Sequence, residues 1–156
     1  MPRRKVPYKE GDFFAVPLRT SGYGTGLVVR TVKVGGILGY FFPGKYQTVP
    51  ALSEVQDKKP HDAFWIRHFG DLGFFNGDWH VIGPIPSWNR ADWPVPSFVR
   101  TDDISGKHYR ITYSEHDLDQ EIECSLIEKA EAELLPEDGI SGYGALEIRL
   151  SNLLDA

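Results

Sequence analysis

Histidines and aspartates crowd into one stretch of twenty residues, where they could do chemistry by holding a metal ion. They are His61, Asp62, His68, Asp71, Asp78 and His80. Metal ligands have to converge, and none of the spacings here matches His-Glu-x-x-His or another defined ligand set. Roles in solvated turns are therefore favoured, and no metal is expected. A metal-dependent hydrolase that uses His61, His68, His80 and Asp71 stays as an alternative.

Cys124 is the other candidate for chemistry, as a nucleophile with His116 as its base. Glu121, Glu123 and Glu128 lie close to it in the sequence. Their negative charge disfavours the thiolate that a nucleophile needs, so a cysteine packed in the interior is predicted instead. No catalytic residue is assigned, and we expect a protein that is not an enzyme.

A glycine-rich segment, SGYGTGLVV at residues 21–29, has the composition of a phosphate-binding loop. A dinucleotide loop needs its glycines to open a helix whose N-terminus binds the pyrophosphate. The residues behind these glycines are apolar and often β-branched, which predicts a strand, and no Gly-Lys-Ser/Thr sequence closes the segment. The glycines therefore indicate a turn or bulge, and no cofactor is expected.

Length and composition indicate one β-rich domain. The chain has 156 residues with 13 % aromatic residues, 16 Gly and 11 Pro, which is typical of short strands joined by turns. We expect residues 1–10 to form a basic N-terminal arm and residues 11–156 to form the domain. A lone cysteine suits a reducing compartment, and no apolar run approaches the roughly 18 residues of a membrane span. A cytoplasmic protein without a membrane partner is expected.

Charge is distributed unevenly along the chain. Residues 1–100 carry 13 Lys/Arg and 8 Asp/Glu, whereas residues 101–156 carry 4 and 14, giving net charges of +5 and −10. Ten of the carboxylates lie between Glu115 and Asp138, against one lysine. A solvated face would explain this tract, and so would a surface that attracts a basic partner. Nucleic acid is not the partner that such a tract would bind.

Short strands dominate the first two-thirds of the chain, and helices enter near its end. Strands are predicted at residues 13–18, 25–34 and 37–42 as an antiparallel meander, and again at 64–69, 79–83 and 109–113. One helical turn is predicted at residues 51–56. Two later helices are predicted from apolar residues at helical spacing, namely Leu126, Ile127, Ala130 and Leu134, and then Leu146, Leu150, Leu153 and Leu154.

These elements predict a mainly β (α+β) fold in a single domain. We expect a curved antiparallel sheet or partly open barrel of about five to seven strands, with one or two C-terminal helices packed against it.

Tryptophan and phenylalanine cluster in residues 64–93. Most of these rings are expected to fill the core, because a small β domain needs bulky side chains there. Trp88 and Trp93 lie where prolines break the chain, so they are the rings that we expect to be exposed. Exposed tryptophans are typical anchors of protein interfaces.

Several segments, taken in their order along the sequence, resemble those of a known family. They are GDFFAVPL at residues 11–18, YGTGLV at 23–28, LGYFF at 38–42, GDWHVIG at 77–83 and LPEDG at 135–139. With Gly144 at the entry to the final helix, they resemble the immunity protein 26 family of bacterial polymorphic toxin systems from about Gly11 to Leu154. The resemblance carries structural roles only: Trp79 as a core residue, and turn or bulge sites at Gly11, Gly24, Gly26, Gly39 and Gly83.

The resemblance implies a small cytoplasmic protein, mostly β in fold, that binds and neutralises a toxin encoded beside it. The residues that contact the toxin are predicted from charge and exposure, and they are Glu115, Asp117, Asp119, Glu121, Glu123, Trp88 and Trp93. If the toxin is a nuclease with a basic groove, the five carboxylates could occupy that groove as a nucleic-acid mimic. A peptide- or protein-binding β-barrel adaptor that uses Trp88 and Trp93 is the first alternative, ahead of the hydrolase.

Overall fold

The computed structural model describes residues 5–32 and 35–156. Its strands are β1 (Asp12–Pro17), β2 (Tyr23–Val32), β3 (Gly36–Tyr46), β4 (Trp65–Gly70), β5 (His80–Pro84), β6 (Phe98–Thr101), β7 (His108–Ser114), β8 (Asp117–Ile127) and β9 (Ile140–Ser141). Its α-helices are α1 (Leu52–Val55), α2 (Leu72–Phe75), α3 (Lys129–Ala132) and α4 (Tyr143–Asp155), and 3₁₀ turns occur at Pro60–Asp62 and Arg90–Asp92. Residues 1–4 of the expected basic arm and residues 33–34 of the expected second strand lie outside the described residues.

The strands form two open sheets. The larger sheet has the order β5-β1-β2-β3-β4-β9, and the smaller sheet has the order β6-β7-β8. Strands β1 to β3 are a consecutive antiparallel meander, as the sequence predicts, and only β9 joins the large sheet in parallel, beside β4. The prediction of a mainly β fold with a C-terminal helix is confirmed. The described residues contain nine strands, more than expected, because the second sheet is built from the C-terminal third.

The large sheet is buried on both faces because its central strands alternate between two apolar cores. Phe14, Val28 and Phe41 point to the face covered by α2 and α4, where Leu146 and Leu150 pack with Trp79. Their neighbours point to the opposite face, which is covered by α1 and the irregular segment 84–96; these neighbours are Phe13, Leu27, Val29, Tyr40 and Phe42. The predicted core role of Trp79 is confirmed, since only 3 % of it is exposed.

Two strand glycines allow these rings to pack against the backbone. A Cβ atom at Gly26 would lie 2.7 Å from Phe14 Cζ, and one at Gly39 would lie 2.7 Å from Phe69 Cε1. Real Cβ atoms do not approach carbon so closely, so a side chain at either position would displace a buried ring. Gly11 and Gly83 instead have positive φ angles of 90° and 147°. Gly26 and Gly39 therefore occupy close-approach positions, Gly11 lies in a turn, and Gly83 lies in β5 at a register shift with β1.

The small sheet attaches to the large one through a third apolar cluster, which contains Leu38, Phe98 and Leu118. Ser114 of β7 pairs with Asp117, whereas the adjacent Tyr113 pairs with Glu121, so Leu118, Asp119 and Gln120 have no residue opposite them. This three-residue β-bulge places Leu118 in the core, where it is 6 % exposed. The burial of Leu118 thereby fixes the position of the β7–β8 hairpin.

The helix predicted from Leu126, Ile127, Ala130 and Leu134 is mostly wrong. Strand β8 runs through Leu126 and Ile127, which pair with Tyr109 and His108 of β7, and only Lys129–Ala132 is helical. Pairing with a neighbouring strand outweighs the helical propensity of this segment. The second predicted helix is present as α4.

No helix among the residues that the structure describes is both long enough and apolar enough to span a lipid bilayer.

Candidate functional site

The turn between β7 and β8 lines a cleft of about 250 Å³ at the C-terminal end of β2, an interior strand of the large sheet. We call the segment from Glu115 to Glu123 the acidic hairpin. Three of its predicted contact residues, Glu115, Asp117 and Asp119, line the cleft, and Arg30 and Arg90 lie across from them. The structure therefore brings together three of the five predicted carboxylates around two arginines.

Arg30 is the buried cation of this cleft, with 3 % of its surface exposed. A register shift between Val28 and Arg30 interrupts the pairing of β2 with β3 and places Arg30 opposite Leu38. Its Nη1 donates to the carbonyl oxygen of Val29 at 2.7 Å, and its Nη2 donates to that of Arg90 at 3.3 Å. Burial lowers the pKa of Arg30, and the charge of Arg90 acts in the same direction. Within residues 5–32 and 35–156, its Nε has no hydrogen-bond partner.

The carboxylates around the cleft remain available to an external partner. Glu115 Oε1 lies 3.8 Å from Arg30 Nη2, and the Glu115 side chain is 60 % exposed. Asp117 and Asp119 are also exposed, and Asp117 accepts a hydrogen bond from the backbone N–H of Asp119 at 3.0 Å. Arg90 forms an ion pair with Glu10, whose Oε1 lies 3.0 Å from the Nε of Arg90. Exposed carboxylates are suited to receive lysine or arginine side chains of another protein.

Glu121 and Glu123 lie farther along β8 and on opposite faces of the small sheet. The β-bulge places Glu121 opposite Tyr113, where it forms an ion pair with Arg100 of β6. Glu123 is opposite Thr112, and its Oε1 lies 2.8 Å from Nη2 of Arg110 on β7. The structure therefore does not gather the five predicted carboxylates into one continuous face.

Each of these arginines is shared with a second carboxylate. Arg100 Nη2 also lies 2.8 Å from Asp138 Oδ2, and Arg110 Nη1 lies 2.6 Å from Glu131 Oε2. The hydrogen bonds that Arg100 donates to Glu121 and Asp138 raise the pKa of Arg100. The Arg110 guanidinium lowers the pKa of Glu123. Each face of the small sheet thus carries one arginine between two carboxylates and keeps an excess negative charge.

The two tryptophans predicted to be exposed differ in burial. Trp88 is half-buried, but Trp93 is only 3 % exposed, so its prediction of exposure is wrong. Trp93 packs edge-on against Tyr40 with ring centroids 5.3 Å apart. Trp88 stacks on Trp93, and their ring centroids are 6.5 Å apart. Both rings line a separate cleft of about 380 Å³ with Lys58 and Lys59. Trp93 therefore supports Trp88 from the core side.

The residues considered for metal binding are dispersed over the fold. His61 and Asp62 lie on an exposed 3₁₀ turn, and His68 lies half-buried on β4. Asp71 accepts a hydrogen bond from the Tyr8 hydroxyl at 2.6 Å, and His80 is exposed on β5. Strands β4 and β5 are separated by three other strands of the large sheet. No group of three or more possible ligands converges within residues 5–32 and 35–156.

Cys124 is exposed on β8, so the prediction of a cysteine packed in the interior is wrong. It lies opposite Ile111, which is fully buried, but β8 is the edge strand of its sheet and leaves Cys124 exposed.

Sequence reasoning missed Arg30, Arg100 and Arg110, which set the charge around the predicted carboxylates. A signal existed for Arg30, because a single arginine within the strand LVVRTV is either exposed at an edge or buried with partners. For Arg100 and Arg110 the pairing depends on strand register, which the sequence alone does not provide.

A family model described as Immunity protein 26 matches residues 9–110 of the chain, about two-thirds of its length. No curated protein and no solved structure matches the chain. The matched residues begin before β1 and end within β7. They include Trp88 and Trp93, whereas the acidic hairpin lies beyond them, so the resemblance inferred as far as Leu154 exceeds the matched region.

Proposed function

Because the chain belongs to the immunity protein 26 family, we propose that it binds and neutralises a cognate bacterial toxin without catalysing a reaction. The family match over residues 9–110 is the observation that carries this function. The dispersed positions of His61, His68, Asp71 and His80 support the non-catalytic part of the proposal. The protein would act in the cytoplasm, where a reducing environment suits the exposed thiol of Cys124.

The acidic hairpin is the proposed contact surface for the toxin, with Trp88 as an additional aromatic contact. Glu115, Asp117 and Asp119 are exposed, and they lie together at the rim of one cleft. A toxin with a basic substrate groove, such as a nuclease, would be attracted to them and blocked by them. Glu121 and Glu123 would strengthen this attraction at longer range, since each shares its arginine with another carboxylate.

Protection of living cells tests this proposal directly. The toxin domain encoded immediately upstream would be expressed in bacteria from an inducible promoter, with or without this protein. We expect growth to stop with the toxin alone and to continue when the protein is present. Unchanged growth arrest, with the protein present in folded form at equal or higher amount, would contradict the proposal.

A peptide- or protein-binding adaptor is a second candidate, favoured by the cleft that Trp88 and Trp93 line with Lys58 and Lys59. Trp88→Ala is the appropriate test, because Trp93 is part of the core and its removal would damage the fold. An adaptor would lose its peptide ligand with Trp88→Ala while keeping its circular dichroism spectrum.

A hydrolase would be indicated by a stoichiometric transition metal that survives dialysis of the purified protein.

A further inference from the structure

Strand β8 is an open edge of the small sheet. At the opposite edge, β6 is covered by the segment before β9, because Val99 N–H donates to the Pro136 carbonyl at 2.9 Å and Asp138 N–H donates to the Val99 carbonyl at 2.8 Å. Among the described residues, no backbone group bonds to the outer side of β8 between Gln120 and Ile127. An open row of backbone donors and acceptors is a template for another strand.

The same part of β8 exposes apolar side chains. Ile122 is 62 % exposed and Leu126 is 63 % exposed, and Cys124 lies between them. Residues 123–127 pair with β7 in regular register, so this part of the strand is straight enough to accept a neighbour. Pairing on the outer side would remove these apolar groups from water and satisfy the backbone at the same time.

Charge decides what kind of strand can pair there. Glu121 on one face and Glu123 on the other each share an arginine with a second carboxylate, which leaves negative charge on both faces. A second copy of this chain, paired through its own β8, would bring carboxylates close to carboxylates on the shared faces, and such pairs are destabilising. A strand with lysine or arginine at these positions would instead be attracted.

We propose that the toxin adds an exposed edge strand of its own to β8 between Gln120 and Ile127. Basic side chains of that strand would contact Glu121 and Glu123, and apolar side chains would cover Ile122 and Leu126. This inference rests on the proposed function, and it specifies how the toxin is held: main-chain pairing provides affinity, and the carboxylates select a basic strand.

Hydrogen exchange in the complex tests the pairing. The full-length protein would be exchanged in deuterated buffer alone and with the catalytically inactive toxin domain encoded upstream, and read at single residues by NMR. We expect exchange to slow at alternate residues from Glu123 to Ile127, where β8 is regular, because alternate amides of a strand point to the same side. Unchanged exchange along β8, with slowing elsewhere in the chain, would overturn the inference while leaving toxin binding intact.

A pair of matched variants gives an independent readout. Leu126→Arg places a bulky cation at the open edge, and we expect it to weaken toxin binding by roughly tenfold or more. Leu72→Arg is the control, since Leu72 is 54 % exposed on α2, and α2 packs in a core cluster that contains no residue of β8. Equal binding by both variants and the unchanged protein would overturn the inference. Absence of any complex with the unchanged protein would instead refute the proposed function, and the inference with it.

Discussion

The indole Nε1 of Trp79 donates a hydrogen bond to Oε2 of Glu147 at 2.9 Å in the interior of the protein. Oε1 of the same carboxylate lies 3.1 Å from Nη2 of Arg19, which follows β1. Ser151, one turn further along α4, accepts a hydrogen bond from the backbone N–H of Arg19 at 2.8 Å. Helix α4 is therefore held to the large sheet by these polar contacts, of which the Trp79–Glu147 bond is buried, as well as by Leu146 and Leu150.

Removal of the Glu147 side chain should destabilise the protein. Glu147→Ala leaves the buried Trp79 N–H without an acceptor, and we expect the free energy of unfolding to fall by about 2 kcal/mol. Urea denaturation followed by tryptophan fluorescence would measure it. Glu133→Ala changes an exposed glutamate and should alter stability by less than about 0.5 kcal/mol. Equal stability of both variants would show that the Trp79 contact contributes nothing.

A methyl group at Gly26 should also be destabilising. Its Cβ would lie 2.7 Å from Phe14 Cζ and 3.0 Å from Phe41, and both rings are fully buried. We expect Gly26→Ala to cost about 1–3 kcal/mol in thermal or chemical unfolding, because the rings have no free space to move into. Gly70→Ala is the strand control, since no atom of another described residue, apart from its two chain neighbours, lies within 4 Å of its Cβ position. A Gly26→Ala variant as stable as Gly70→Ala would contradict this packing.

Elements set by local pattern could be predicted from the sequence, whereas those set by pairing could not. The β1–β3 meander follows from alternation and glycine turns, and α4 follows from leucines at helical spacing. Leu126 and Ile127 have the same helical spacing, but β7 holds them in a strand. Helix and strand are therefore distinguished here by a neighbour in space, which a single sequence does not show.

The candidate site could be predicted only in part, because strand pairing decides the positions of some of its residues. Glu115, Asp117 and Asp119 lie together because a short turn joins β7 to β8. The β-bulge then separates Glu121 from Glu123, and its position depends on the burial of Leu118. Trp93 lies in a proline-broken segment, as predicted, but that segment covers the sheet and so contributes its rings to the core.

Stability should depend on pH through His68. Burial lowers the pKa of His68, and Arg67 acts with it, while Asp119 and Asp138 act against both. The unfolded chain, with a histidine pKa of about 6.5, therefore takes up the proton more readily, and stability is lost as the pH falls below that value. We expect the free energy of unfolding to fall more between about pH 7.5 and pH 5.5 in the unchanged protein than in His68→Gln.

His61→Gln is the control for this titration, because the His61 side chain is 82 % exposed. It should retain the pH dependence of the unchanged protein. If His68→Gln and His61→Gln lost equal stability over that pH range, the burial of His68 would not be the cause of the pH dependence.

Reversal of charge on the acidic hairpin should slow toxin binding. With Glu115→Lys, Asp117→Lys and Glu121→Lys combined, we expect the association rate to fall about tenfold or more at low salt, since steering by the carboxylates is lost. Stopped-flow mixing with the inactive toxin domain would measure it. The unchanged protein should also bind more slowly as salt approaches 0.5 M, where the Debye length is roughly 4 Å.

The control for the change in net charge combines Asp57→Lys, Asp103→Lys and Glu133→Lys, three exposed sites outside the acidic hairpin, and changes the net charge by the same amount. An association rate for the hairpin variant no lower than that of this control would remove the acidic hairpin from the proposed contact surface.

Calorimetric titration tests the central claim most directly. The purified protein would be titrated with the inactive C-terminal domain of the toxin candidate encoded immediately upstream. We expect one-to-one binding with a dissociation constant in the nanomolar range, as is typical of tight inhibitory complexes. Absence of both heat and complex, with each protein folded, would contradict the assignment of this chain as the inhibitor of that toxin.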